Sequence, residues 1–403
     1  MLLQASPEPM RVATWARTIK PSTINEMLKL TAGPGLTSFA LGLPAPELFP
    51  TEAYARAAER VLTTDRHALQ YGPSFRPLKT QVVEIMRARG VECTEDQVVM
   101  TAGAQQALSI LSRFLLDPGG QLMLEQVAYT GFQQVIEPFR PELLVVPTSL
   151  EHGIDVDAVE AYLAAGAMPA FMYVVSDGHN PLGISLDLAS RDRLVELARR
   201  YRVPIVEDDA YGLLYYGEEG SGLVPMRAQE DQWVFYVGSF SKVLAPSARV
   251  GWIIAPRELV PAISGTKDTC DLDMNNFAQR IVSAFLAEGH LDAHLDMLRR
   301  EYTTRRDLMD EALREHFPAG TRWRVPSNGA LMWAELPEGI DCGALLPEAV
   351  ATERVAYVPG NAFTTDGSRH ASNCMRLNFS FPGREEIRQG IAALGRVMRA
   401  HAA

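Results

Sequence analysis

The sequence predicts an α/β protein: a mostly parallel β-sheet covered on both faces by helices, with a smaller α+β domain behind it. Three observations carry this. Between residues 51 and 255, short apolar runs alternate with segments of helical periodicity, the rhythm of strand–helix units that assemble a parallel sheet. The run 233–238, Trp-Val-Phe-Tyr-Val-Gly, is apolar without interruption and reads as a buried strand. From about residue 286 the rhythm gives way to one long charged helix, several strand signals and a last helix, which reads as a separate layered unit.

The elements follow in order. A short helical pattern covers 22–31. The stretch 41–50, Leu-Gly-Leu-Pro-Ala-Pro-Glu-Leu-Phe-Pro, is dense in Pro and Gly and is expected to be an extended loop. Helices are expected over 51–65, 105–116, 156–164 and 188–201, and strands over 97–101, 121–125, 143–146, 170–175, 205–207, 233–238 and 251–255. The long helix runs from about 286 through 314. Strands are expected over 322–325, 330–335, 354–357 and 375–379, and a final helix over 384–401. The organisation expected is an N-terminal arm and small-domain segment over 1–50, a large domain over 51–285 and a small C-terminal domain over 286–403. No flexible linker marks residue 285, so the two domains should pack closely.

Composition narrows the function. The 403 residues are 47% hydrophobic and 22% charged, ordinary for a globular enzyme. A net charge of -11 argues against a nucleic-acid surface and against attraction to anionic lipid. Cys93, Cys270, Cys342 and Cys374 lack C-x-x-C spacing and read as reduced thiols of a cytoplasmic protein. Residues 1–20 have no long apolar core, so a signal peptide is not expected. No stretch approaches the roughly 20 apolar residues of a membrane helix.

The chemistry concentrates at strand ends, where open parallel sheets bind ligands. After the strand ending at 238 comes Ser239-Phe240-Ser241-Lys242, with Arg249 seven residues beyond the lysine. A lysine after a buried strand is placed for desolvation to lower its pKa and make it a usable amine. The hydroxyls and the arginine suit an anion. Lysine plus phosphate cup is the demand of pyridoxal 5'-phosphate (PLP). Ala102-Gly103-Ala104-Gln105 opens a helix whose first N–H groups suit phosphate, and equally reads as an ordinary glycine turn. Asn180, before Pro181, either caps a turn or donates to a ligand oxygen. Asp208-Asp209-Ala210-Tyr211 ends another strand. A buried Asp there would keep a pyridine nitrogen protonated, and the pair also reads as metal ligands or solvated loop residues. Ser239-x-x-Lys242 fits the S-x-x-K pattern of serine hydrolases as well, but the companion tripeptides S-D-N and K-T-G are absent. His290 and His294 share a helix face without a Glu after His290 and read as surface residues.

These residues, in this order, resemble the fold-type I PLP-dependent aminotransferases of class I/II, nearest the 2-aminoadipate and aromatic aminotransferase branch. The likeness runs from Ser22-Thr23-Ile24 to the final helix and is most specific at 239–249 and 206–211. It implies a three-layer large domain with a mostly parallel mixed sheet. By resemblance, Lys242 is the Schiff-base lysine and proton shuttle, and Asp208 pairs with the pyridine nitrogen. Asn180 and Tyr211 hold the phenolic oxygen, and Tyr129 stacks on the ring. Gly103, Ala104, Gln105, Ser239, Ser241 and Arg249 form the phosphate cup. Tyr71 reaches the phosphate of a neighbouring subunit, which implies a homodimer. Arg376, with Asn180 and Gly42 nearby, clamps the substrate α-carboxylate, although a strand arginine alone reads as a surface residue. The reaction implied is ping-pong transfer of an amino group between an α-amino acid and a 2-oxo acid.

The chain also departs from the resemblance. Asn180-Pro181-Leu182-Gly183 replaces Asn-Pro-Thr-Gly, and Ser176-Asp177-Gly178-His179 replaces a Pro-rich run with an aromatic. Leu41-Gly42 and Asn328-Gly329 stand where Gly-Gly pairs are common. Asn25 occupies the place of the arginine that meets a distal carboxylate. Asp268, Asp271 and Asp273 crowd what reads as an acidic loop, 267–275. Facing solvent they are only a charged loop; facing the pocket, one of them would favour a neutral or cationic side chain, such as a guanidino amino acid. The alternatives are a lyase, decarboxylase or oxidase on the same scaffold, an aromatic or 2-aminoadipate aminotransferase, and a regulator built on this domain, for which residues 1–20 are too short to add a DNA-binding segment.

Overall fold

The computed structural model describes residues 11–13, 15–17, 35–217, 224–271 and 274–402. The helix expected over 22–31 lies outside them. The central sheet has seven strands: β1 (Val98–Thr101), β2 (Gln121–Glu125), β3 (Glu142–Val146), β4 (Met172–Val175), β5 (Ile205–Asp209), β6 (Val234–Ser239) and β7 (Gly251–Ile254). Their order across the sheet is β1-β7-β6-β5-β4-β2-β3. All neighbours are parallel except β7, which runs antiparallel to both β1 and β6.

The strand pleat sorts side chains between two faces. Val99, Val237 and Ile253 join one apolar cluster with α3 (Ala104–Leu115), α4 (Thr130–Ile136) and α7 (Val260–Asp268). Met123, Met172, Val174, Ile205 and Val234 join another with α5 (Val156–Ala164) and α6 (Leu188–Tyr201). Toward β1, after α1 (Thr51–Thr64), that second face is completed by α2 (Arg76–Ala88), whose Leu78, Val82, Val83 and Met86 pack in one cluster with Met100 and Trp252. Three layers result. Local signals start the helices: Asp155 caps α5 by accepting from the N–H of Ala158, and Asp187 caps α6 by accepting from that of Ser190, each worth about 1 kcal/mol.

Several expectations need correction. The long helix expected from about 286 is α9 (Leu291–His316), preceded by a separate helix, α8 (Asn276–Ala287). They are separated at Gly289, whose φ of +73 is a left-handed conformation that ends an α-helix. The stretch 267–275 is not all loop, because Lys267 and Asp268 finish α7. The strand at 354–357 is Val355–Ala356 and pairs parallel with Thr37–Ser38, so the chain near residue 37 lies against the C-terminal part. There, a four-stranded antiparallel sheet has the order β8-β9-β11-β10, from β8 (Arg322–Trp323), β9 (Leu331–Glu335), β10 (Val358–Pro359) and β11 (Cys374–Asn378). After α10 (Cys342–Thr352), the last helix, α11 (Arg384–Ala400), packs along α9. Among the described residues no helix is long and apolar enough to cross a membrane.

Candidate active site

Topology gathers the sequence candidates at one edge of the central sheet. The carboxyl ends of β1, β2, β4, β5 and β6 lead to Gly103, Tyr129, Asn180, Tyr211 and Lys242 respectively. The antiparallel β7 brings its amino end to the same edge: Gly251 pairs with Thr101 of β1 and Ser239 of β6, so Arg249 arrives beside both. A cavity of about 150 Å³ opens there, lined by Ala104, Gln105, Tyr129, Asn180, Asp208, Tyr211, Ser239, Ser241, Lys242 and Arg249, with Tyr173, Val175 and Ala210.

One end of the cavity is built for an anion. Gly103, with φ +85, is the N-cap of α3; a Cβ there would stand 2.7 Å from the Arg249 guanidinium, so the close approach requires glycine. The first N–H groups of α3 have no intrahelical partner and carry the positive end of the helix dipole. Ser239 and Ser241 hydroxyls lie 3.0 Å apart, and Arg249 donates to Ser241 Oγ (3.4 Å) and to the carbonyl of Ala102 (2.7 Å).

At the other end stands Asp208. Tyr173, which the sequence reading missed, donates its hydroxyl to Asp208 Oδ2 at 2.8 Å, while the buried Oδ1 has no partner. Burial pushes Asp208 up to about 6, against the pull of the Tyr173 hydrogen bond, Lys242 and His179. An unpartnered buried carboxylate oxygen costs stability and fits a cationic N–H from a ligand. Lys242 donates to the carbonyl of Gly42 (2.6 Å). Desolvation, with Arg376 and Arg249 nearby, lowers its amine to about 8.

Arg376 on β11 completes the mouth. It donates to Asn180 Oδ1 (2.9 Å) and to the carbonyl of Ala40, and its guanidinium lies 5.0 Å from the Phe363 ring centroid. It is buried, contrary to the surface reading, and desolvation lowers it to about 10. With Asn180 Oδ1 turned to Arg376, the amide nitrogen is the end left to donate. Tyr129 donates to Gln105 Oε1 (3.3 Å), and burial raises both Tyr129 and Tyr211. Three cations thus oppose one carboxylate. The residues present fit PLP, with a phosphate at the α3 terminus and a ring nitrogen at Asp208.

The family model for aminotransferase class I and II matches residues 40–394. The chain belongs to that family. It is 38% identical over 392 residues to aromatic-amino-acid aminotransferase 1 of Thermococcus litoralis, covering 94% of this chain and 92% of that one. It is 38% identical over 389 residues to the 2-aminoadipate transaminase of Thermus thermophilus, covering 95% of each. The crystal structure of an α-aminoadipate aminotransferase from Thermus thermophilus, complexed with N-(5'-phosphopyridoxyl)-L-leucine, superposes with a TM-score of 0.88 at 36% identity, covering 96% of this chain and 97% of that chain. The protein is a PLP-dependent transaminase acting on an amino acid and a 2-oxo acid.

Some sequence candidates fall elsewhere. Tyr71 is 77% exposed and lines a different cavity, with Lys79, Lys267 and Asp268. Asp268 sits beside Lys267, and Asp271 accepts from Gln106 (3.0 Å). Neither lines the site, so they supply no acidic partner for a guanidino side chain; Asp273 and Asn25 lie outside the described residues. His294 is buried, not on the surface, and donates to the carbonyl of Val243 (2.7 Å). Gly178, φ +58, crosses Gly329 so closely that a Cβ would stand 3.0 Å from Gly329 Cα and from Tyr211 Cβ, which explains why bulk is missing at that position.

Proposed function

We propose that Lys242 is the residue that bonds the cofactor and then moves the substrate's α-proton, with Asp208 holding the ring nitrogen and Arg376 the α-carboxylate. The observation that carries this is the unpartnered Asp208 Oδ1 at the cavity wall. When bound, the cofactor supplies the electron sink for the pair left by the α-proton. Asp208 keeps its negative charge under the ring nitrogen, where pairing offsets the burial that otherwise raises it. Asn180 and Tyr211, which line the cavity with Tyr129, would hold the ring's phenolic oxygen, and Tyr129 would pack against the ring. The α3 N–H groups of Ala104 and Gln105, beside Gly103, hold the phosphate with Ser239, Ser241 and Arg249. Arg376 binds the carboxylate through its fork of donors, with Gly42 and Asn180 beside it. The neutral Lys242 Nζ, favoured by desolvation, would take the proton from the substrate's α-carbon.

The donor in this reading carries a neutral side chain. Among the described residues no cation besides Lys242 and Arg249 lines the cavity, and Arg376 is committed to the α-carboxylate. The working form in this reading is a cytoplasmic homodimer, with exposed Leu69 and Tyr71 meeting the partner and Tyr71 reaching its phosphate.

A half-reaction tests the assignment. Holoprotein mixed with a neutral L-amino acid and no oxo acid should yield one 2-oxo acid per subunit and leave the cofactor as pyridoxamine phosphate. Release of carbon dioxide, ammonia or peroxide as the main product would overturn it. Glutamate or 2-aminoadipate outpacing every neutral donor would overturn the side-chain part alone.

A further inference from the structure

Behind Asn180 lies a buried pair that the proposed roles do not use. His179 Nε2 is 2.6 Å from Glu125 Oε2, and both side chains are 4% exposed. His179 Nδ1 accepts the backbone N–H of Leu182 (3.3 Å). An imidazole whose Nδ1 accepts must carry its proton on Nε2, so Nε2–H donates to the Glu125 carboxylate. The backbone around the histidine is held as well: its N–H donates to the carbonyl of Ile184 (2.7 Å), and its carbonyl accepts from Gly183 (2.6 Å). The turn that presents Asn180 is therefore fixed by its neighbour's ring and backbone together.

The other end of the pair leads to the same arginine. The Glu125 carbonyl accepts from Thr365 Oγ1 (3.1 Å), and the Gln126 carbonyl accepts from Thr365 N–H (3.1 Å). The Ala128 N–H donates to the carbonyl of Phe363 (3.0 Å), and the Phe363 ring lies against the Arg376 guanidinium. Asn180 accepts from Arg376 on its other side. The contacts close a circuit: Glu125, the Phe363 loop, Arg376, Asn180, His179 and back to Glu125. Neither Glu125 nor His179 lines the cavity.

We propose that the Glu125–His179 pair is a positioning element that holds Arg376 in register for the substrate α-carboxylate, by clamping the Asn180 turn to the strand end that anchors Phe363. A long arginine side chain has much rotamer freedom to lose, and a displacement of about 1 Å at a charge clamp is worth on the order of a hundredfold in rate or binding. The proposal rests on the reading of Arg376 as the carboxylate clamp.

The test uses PLP-loaded protein and 2-methylalanine, which has the α-carboxylate but no α-proton to lose; its Kd is read from the change in visible absorption. His179→Ala should weaken this Kd by about tenfold or more while the cofactor stays bound. His179→Gln, which can still donate to Glu125, should recover most of the loss. Arg376→Lys is the control. If Arg376→Lys weakens the Kd and His179→Ala, folded and loaded, does not, the positioning role is wrong. If Arg376→Lys changes nothing, the clamp reading itself is wrong. Should His179→Ala fail to fold, Glu125→Ala makes the same comparison, and an unchanged Kd there overturns the proposal.

Discussion

Asp208 and Asp209 are consecutive carboxylates on one strand, and the strand pleat sends them to opposite faces. On the cavity face, Asp208 has one hydroxyl partner and an oxygen with none. On the opposite face, Asp209 also has one oxygen without a hydrogen-bond partner, but its other oxygen is paired with the Arg89 guanidinium and accepts from Tyr236 (2.9 Å). Arg89 also reaches Asp177, which is paired in turn with the fully buried Arg191. One face neutralises its charge inside the protein; the other leaves a charge that a ligand must neutralise. The difference separates a structural ion pair from a candidate functional group more sharply than burial does, since both residues are buried.

Three measurements at two sites outside the pair bear on this difference. The largest effect belongs to Lys242→Ala, which should cut transamination by on the order of 10⁴-fold and abolish the absorption band of lysine-bound cofactor; a variant that keeps both would return Lys242 to a structural role. A middling effect concerns pH. Desolvation lowers Lys242 to about 8, so the neutral amine becomes scarcer by about tenfold for each pH unit below that value. The rate of cofactor attachment to apoprotein, followed by stopped-flow absorbance, should climb through about pH 8 and then level off. A rate independent of pH from 6 to 9, on the order of that span, would contradict the assignment. The smallest effect is expected for Asp271→Ala. Asp271 holds Gln106, which accepts from the N–H of Ala102 (2.7 Å), and the Ala102 carbonyl accepts from Arg249. Cofactor affinity should fall only severalfold, by about 1 kcal/mol, and the ranking of amino donors should not move. A reordered donor panel would place the acidic segment at the substrate after all.

Much of the cavity was legible because its parts follow directly from strand ends. Lys242, Ser239, Tyr211 and Asn180 each stand within a few residues of an apolar run, and a parallel sheet aligns those ends. The strand β5 runs two residues past its expected end because Asp208 and Asp209 pair with Val237 and Gly238. Tertiary partners there override the poor strand propensity of aspartate. The helix α2 was missed although Pro77 at its start and Leu78, Val82, Val83 and Met86 carry its signal. The partners Tyr173, Arg89, Glu125 and His179 were not legible. Each is bonded to a group far along the chain, Tyr173 to Asp208, Arg89 to Asp209 and Glu125 to His179, and neither spacing nor periodicity records a long-range hydrogen bond. Substrate selection stayed unread for a related reason: the acidic stretch was judged by composition, while α7 and Gln106 decide where Asp268 and Asp271 sit.

The most direct test of the central claim is the single-turnover half-reaction of Asp208→Asn beside Asp209→Asn, each measured per folded, cofactor-loaded subunit. Asp208→Asn should bind the cofactor and lose about 10²-fold or more in rate. Asp209→Asn, destabilised by about 3 kcal/mol because Arg89 keeps only its longer contact to Asp177, should keep its rate within about tenfold once folded. Equal losses in the two variants, or the larger loss in Asp209→Asn, would contradict that claim.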